Sequence, residues 1–386
     1  MVATRKDFIK TASVAAGAAA FAFPNVVLGK GEPIRVGCIP PITGTNALNG
    51  QEEMEGAKYA VAEINSRPGK AYDGRPFELV VEDATNDNQA SVSALNKLLG
   101  ENIVALVVPV LSTQIQAMAP VMKQAGLPWM TGGTAVKNTQ LGVHNLFRCR
   151  ASDGITALGL VQFAVQDKKL KKIGILNSSE TFGEGGADAV TESLKKFGLK
   201  PVAREAFPKD TKDFTPELLR IKNAGADGFI AYIQNPSDVA VLIEQYRSLG
   251  MTIPLLGSPS VGNPTALNLL KSKANGIYVA QDFIIGFNSN VATKFVTNFY
   301  KQFHHQPDVG TGQGWVRDGF VLLADTYKKI GSTDPAKTVA ALHRVKNWEG
   351  VMGTFTCDAE GNFLHSMSIG IVENTNVKLV KTVKVS

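Results

Sequence analysis

The side chains best suited to chemistry are few and scattered. His304 and His305 are adjacent, so on a helix they diverge by ~100° and a shared metal would need ligands from elsewhere; they read as a solvated helix end. Cys38, Cys149 and Cys357 each fall in or beside an apolar β-rich run. They lack the CxxC spacing of a zinc or redox site, and no nearby base or helix end is visible to lower a thiol pKa, so they read as small buried apolar residues. The cluster Phe182-Gly183-Glu184-Gly185-Gly186 follows a strand but does not match GxGxxG, and reads as a helix start. There is no GxxxxGK[ST] phosphate loop, GxSxG elbow or HExxH pair. The residues therefore point to no reaction, no metal and no cofactor, and the chain reads as something other than an enzyme.

What the elements must position is then a binding site. At 386 residues the chain is long enough for two or three domains, using roughly 150 residues per domain. Its formal charge of +6 is dispersed, with no run of five bases, which argues against a nucleic-acid partner. The N-terminus differs from the rest: Arg5, Lys6 and Lys10 precede TASVAAGAAAFAF, residues 11–23. That stretch is shorter than the ~20 residues needed to span a bilayer and reads as the apolar region of a secretory signal, with a small-x-small cleavage site at Ala20-Phe21-Ala22. Residues 1–28 are assigned to export. The head TRKDFIK resembles a twin-arginine signal in which Lys6 replaces the second arginine.

From Ile34 onward, apolar runs alternate with stretches of helical period. IRVGCI, PFELVVED, IVALVVPV, KKIGILN and ADGFIAYI are the clearest strands, and most are continuously apolar, as parallel strands covered on both faces are. In EEMEGAKYAVAEIN, Met54, Ala57, Val61 and Ile64 share a stripe from which Glu52, Glu53, Lys58 and Glu63 point away. Gly126 and Gly250 are helix stops. This alternation predicts an α/β fold of two doubly wound parallel sheets, the second cycle opening near Lys171. FLHSMSIGIVEN and VKLVKTVKVS predict a closing antiparallel hairpin around Asn374 to Asn376.

Pro41-Ile42-Thr43-Gly44, Ala47, Gly50 and Gly56-Ala57 after the first strand resemble the opening of the branched-chain amino acid-binding proteins. IVALVVPVLSTQIQAMAPV, GLPWMTGGTAV, NLFRCRASD, NSSETFGEGGADAV and GSTDPAKTVAALHRVKNWEGVMGTFTCDAEGN extend the likeness in order along the chain. The resemblance implies an extracytoplasmic solute receptor of an ABC importer, with a type I periplasmic binding fold. It implies two lobes joined by three hinge crossings, near Ala151, Gln281 and Gly353. Residues 33–152 plus 282–353 would form the N-terminal lobe and 153–281 plus 354–386 the C-terminal lobe. A small molecule captured by hinge closure, ABC permease membrane subunits as partners, a periplasmic location and a monomeric state follow from it.

The resemblance also implies a site. Family members hold a ligand carboxylate with hydroxyls and main-chain amides, here Val110-Leu111-Ser112 and Gly132-Gly133-Thr134. Thr134 can equally cap a helix before AVKNT, and the two roles are compatible. The acid and tyrosine that hold an ammonium group correspond to Pro259 and Gln234, and the flanking aromatics to Asn49 and Phe182. A buried ammonium would then be left unpaired at a cost of several kcal/mol, so an α-amino acid fits poorly. Phe182, with Trp129, suits an aromatic acid. Arg150 could pair with its carboxylate, or form a hinge ion pair with a residue such as Asp153. The expected ligand is a small organic acid, aromatic acids first. Branched-chain amino acids, short amides, urea and 2-oxo acids are the alternatives, as is a ligand-sensing module of a regulatory system.

Overall fold

The computed structural model describes residues 31–208, 211–286, 289–307 and 312–383. The export segment assigned to residues 1–28 lies outside them. Strands β1 (Ile34–Cys38), β2 (Phe77–Val81), β3 (Ala105–Val107), β4 (Trp129–Thr131) and β5 (Leu146–Arg148) form an all-parallel sheet in the order β2-β1-β3-β4-β5. Helices α1 (Ala47–Ser66), α2 (Asn88–Leu99) and α3 (Ser112–Ala125) connect them, and Gly126 ends α3 at φ +66°. After α4 (Asp153–Gln162) the pattern repeats with β6 (Ile173–Ser178), β7 (Ala203–Phe207), β8 (Gly228–Tyr232), β9 (Leu255–Gly257) and β10 (Tyr278–Gln281), parallel in the order β7-β6-β8-β9-β10. Its helices are α5 (Thr181–Lys195), α6 (Thr215–Asn223), α7 (Pro236–Ser248) and α8 (Pro264–Leu270). In both sheets the first strand lies between the second and third, so successive connections leave in opposite directions and open a crevice at the strands' carboxyl ends.

The chain then returns to the first lobe as α9 (Asn290–Phe303), α10 (Gln313–Ile330), α11 (Pro335–Leu342) and the short antiparallel strands β11 (Trp348–Glu349), β12 (Thr354–Cys357) and β13 (Phe363–Leu364). Finally β14 (Met367–Glu373) and β15 (Asn376–Val383) pair as the expected hairpin beside β10. Its turn residues Asn374 and Thr375 have φ of +48° and +66°, the handedness that matches strand twist.

Two expectations change. Glu53 does not point away from α1's packed face; it is fully buried along with Gly50, Gly56, Ala57, Ala60 and Ile64, in a helix that packs on α10 through Gly56. A side chain at Gly56 would put its Cβ 2.9 Å from Gln313 Cα, so glycine lets the two helices touch. The third hinge crossing is not near Gly353. Phe355 and Phe363 pack with Phe147 in the first lobe's core, and Arg148 N donates to Gly361 O at 2.9 Å. Aromatic packing keeps residues 354–364 with the first lobe, and the chain crosses at 365–366, just before β14. The other passages lie between Cys149 and Ala151 and between Gln281 and Phe283.

Candidate functional site

Where the two crevices face each other, Asn49, Val110, Leu111, Ser112, Thr134, Arg150, Phe182, Gln234 and Ser260 enclose a cavity of about 30 Å³. Eight of these are residues singled out from the sequence. They come from both lobes: Asn49 from α1, the Val110 loop and Thr134 from the ends of β3 and β4, Phe182 from α5, and Gln234 and Ser260 from beyond β8 and β9. A space of this size holds one or two waters. A wider cleft of about 680 Å³ runs alongside, between the start of α1 and α8.

On the first-lobe side, α3 begins at Ser112 with no side chain capping its N-terminus, which leaves amide groups and the positive end of the helix dipole toward the cavity. Ser112 Oγ accepts from Ala135 N at 3.3 Å and from Asn138 Nδ2 at 3.2 Å. With its lone pairs so engaged, the Ser112 hydroxyl proton is the group it has to offer a ligand. Thr134 is buried and held by its carbonyl, which accepts from Arg148 Nη1 at 2.6 Å and from Asp153 N at 2.8 Å. It is not a cap: the 3₁₀ turn Val136–Gln140 is preceded by Ala135 and has no side-chain cap.

Gly132, Gly133 and Pro259 do not line the cavity. Gly132 and Gly133 act through close packing, because a Cβ would fall 2.5 Å from the Trp315 ring and 2.3 Å from Ile115 Cδ1 respectively. Pro259 is buried at the start of a 3₁₀ turn, and its neighbour Ser260 takes the lining position the sequence reading missed. Trp129 is not at the site either; its ring lies in the first lobe's core and its Nε1 donates to Val108 O at 3.2 Å.

Arg150 lines the cavity, but its nitrogens already have partners. Its Nε and Nη2 lie 3.0 and 2.9 Å from Asp282 Oδ2, and Nη1 lies 3.5 Å from the Gly132 carbonyl. The hinge ion pair is thus with Asp282, not with Asp153. Asp282 also accepts from Ala151 N at 2.7 Å and faces His365 Nε2 at 3.4 Å, so one carboxylate ties all three interlobe passages. Burial opposes its charge, yet Arg150 and His365 outweigh burial and hold its pKa down to about 2. Nothing in the sequence marked Asp282 or His365, which stand far from Arg150 along the chain.

No acidic side chain is among the cavity's lining. Glu180, beside Phe182 in sequence, accepts the Ser178 hydroxyl, and burial pushes its pKa up. Glu53 is fully enclosed near Val110 and is raised well above the usual carboxyl range by burial, despite Arg150. Phe182 rests against Tyr232 with centroids 5.5 Å apart, giving the second-lobe wall an aromatic face. All three cysteines are free, Cys38 and Cys149 buried and Cys357 half-buried. Among the described residues no cluster of three or more potential metal ligands occurs.

A family model described as periplasmic binding protein matches residues 33–376. The Leu/Ile/Val-binding protein of Escherichia coli (strain K12) is 24% identical over 366 residues, 95% of this chain and 96% of its own. A Leu/Ile/Val-binding protein homolog of Brucella melitensis is 27% identical over 352 residues, 90% of this chain and 93% of its own. Among solved structures, a leucine binding protein from Thermotoga maritima superposes with a TM-score of 0.83 at 21% identity, covering 91% of this chain and 99% of that one. A solute binding protein of an ABC transporter from Rhodopseudomonas palustris HaA2, in complex with p-hydroxybenzoic acid, gives 0.82 at 22% identity, covering 91% and 97%. At these identities the likeness to solved structures is one of fold, the type I periplasmic binding fold.

Proposed function

The chain belongs to the periplasmic binding protein family, and on that premise we propose that it is the extracytoplasmic receptor of an ABC importer for a small carboxylate without an α-amine, aromatic acids first. The observation that carries the ligand class is the make-up of the cavity wall: hydroxyls of Ser112 and Thr134, a bare helix N-terminus and Arg150, with no carboxylate anywhere in the lining. Such a wall favours an anion and offers an ammonium group no partner. Phe182 supplies a ring face, and the amides of Gln234 and Asn49 can meet a polar substituent on the far side of a ring. A solved neighbour of the same fold holds p-hydroxybenzoic acid, a ligand of this kind.

The mechanism is capture by closure. Ligand bridges Ser112 and Thr134 on one lobe and Phe182 and Gln234 on the other, so it favours the shut arrangement over the open one by the contacts it makes only there. A membrane permease then reads the shut form. The protein acts in the periplasm as a monomer, and no bond is made or broken.

The names of the sequence relatives favour a second reading, a branched-chain amino acid receptor. A thermal-shift panel of benzoates, cinnamates, aliphatic acids, branched 2-oxo acids, short amides and branched-chain amino acids separates the two. Saturating ligand at a hundred times Kd adds about 2.7 kcal/mol, a shift of several degrees. Stabilisation by carboxylates alone supports the proposal; stabilisation by leucine or valine alone sinks it.

A further inference from the structure

The hinge side of the cavity holds a set of buried charges drawn from every element that meets there. Arg148 ends β5, Arg150 and Asp153 flank the first interlobe passage, Asp282 lies in the second, His365 in the third, and Tyr232 ends β8. Glu53 of α1 is also near enough to feel the charge of Arg150. Asp153 is fully buried at the start of α4, and neither of its carboxyl oxygens lies in a well-formed hydrogen bond, although the cavity-lining Thr134 hydroxyl is beside them. Arg148 grips the same loop from behind through Thr134 O, Val136 O and Thr139 Oγ1.

Arg148 and Arg150 both act on the Asp153 carboxyl. Arg150 is answered by Asp282, which it holds ionised, whereas Arg148 is answered first by Asp153 and then by Asp358 and Glu360. Glu53 and Tyr232 are both driven toward their neutral forms by burial. Two carboxylates can therefore compete for this corner of the cavity: that of Asp153, or that of a ligand at Thr134 and Arg150. Both cannot hold it at full charge, since like charges brought together in a dry site disfavour each other.

We propose that Asp153 is a proton-linked stand-in for the ligand's carboxylate, giving up its charge to a proton from solvent when a carboxylate binds against Thr134 and Arg150. This rests on the reading that the ligand is a carboxylate. Burial is the main force on the Asp153 carboxyl and outweighs Thr134, Arg148 and Arg150, lifting its pKa from 3.8 to about 7, so the exchange falls in the neutral range. Ligand capture then tightens as pH falls through 7 and loosens above it, approaching tenfold per pH unit above the unliganded pKa.

The test is calorimetric titration of the full chain with benzoate, cinnamate and 4-methylpentanoate from pH 6 to 8.5, in buffers of differing ionisation enthalpy. Uptake of a fraction of a proton per ligand at pH 7, rising toward one at pH 8, is expected. In Asp153→Asn, which keeps the shape and removes the charge, uptake vanishes and Kd becomes flat with pH; in His365→Gln, uptake persists. Carboxylate binding with no proton uptake in the unaltered protein overturns this inference alone, as does uptake lost in His365→Gln and retained in Asp153→Asn. Should the asparagine variant fail to fold, uptake by the unaltered protein and by His365→Gln still decides. Failure of every carboxylate to bind overturns both this and the proposed function.

Discussion

Arg150 and Asp282 show only 3% and 2% of their side-chain surfaces, and each is the other's principal counter-charge. Removing one member of such a pair costs far more than the pair contributes, because the survivor is left charged in a dry site. Asp282→Asn is therefore expected to lower unfolding free energy by about 3–5 kcal/mol, read from urea denaturation. Its pH signature has a definite sign. Since the folded carboxyl sits at about 2 against an ordinary 3.8, its contribution is present above about pH 4 and is lost as pH falls toward 2. The parent should lose below pH 4 the stability that the variant already lacks, so the gap between them narrows there; a gap constant from pH 7 to pH 2.5 would refute the assignment. Single residues were legible where local chemistry constrained them. Ser112, Thr134 and Phe182 stand in loops whose order matched a known pattern, whereas Asp282 and His365 gain meaning only when three distant passages meet.

At the level of elements, alternation of apolar runs and helical stripes read through to both sheets, because strands buried on two faces have little freedom in composition. What pattern could not supply was which face a side chain takes when packing overrides polarity. Glu53 sits in the middle of α1's buried face, and Trp129 fills the first core instead of the cavity. The crossing expected near Gly353 fails for a similar reason: Phe355 stacks on Phe363, and Phe363 on Phe147, which keeps residues 354–364 with the first lobe. Close helix-to-sheet contact is the other thing the elements depend on. At Gly186 of α5, a Cβ would lie 1.9 Å from the ring of Tyr232, whose other neighbour is the cavity-lining Phe182. Gly186→Ala should cost about 1–3 kcal/mol of stability and weaken ligand binding together, measured by denaturation and titration. Lost stability with unchanged affinity would show that α5 does not set the position of Phe182.

For the whole molecule, the account is one of two lobes whose separation decides affinity. Across the cleft Asn263 Nδ2, at α8's cap, donates to Glu52 Oε1 of α1 at 3.0 Å. Losing a bond that exists only when the lobes meet should shift the population toward open. Glu52→Ala is expected to raise Kd roughly five-fold, for about 1 kcal/mol, and to enlarge the radius of gyration in X-ray scattering without ligand. An unchanged Kd would mean that this contact does not bias closure. On the proposed function the cavity lining holds a carboxylate and contains no acidic side chain to pair with an ammonium group. Titration with matched pairs, 4-methylpentanoate against leucine and 3-phenylpropanoate against phenylalanine, varies only that group. The acids are expected to bind at least roughly a hundred-fold tighter than their amino counterparts, the cost of burying an unpaired ammonium; tighter binding of leucine than of 4-methylpentanoate would contradict the account.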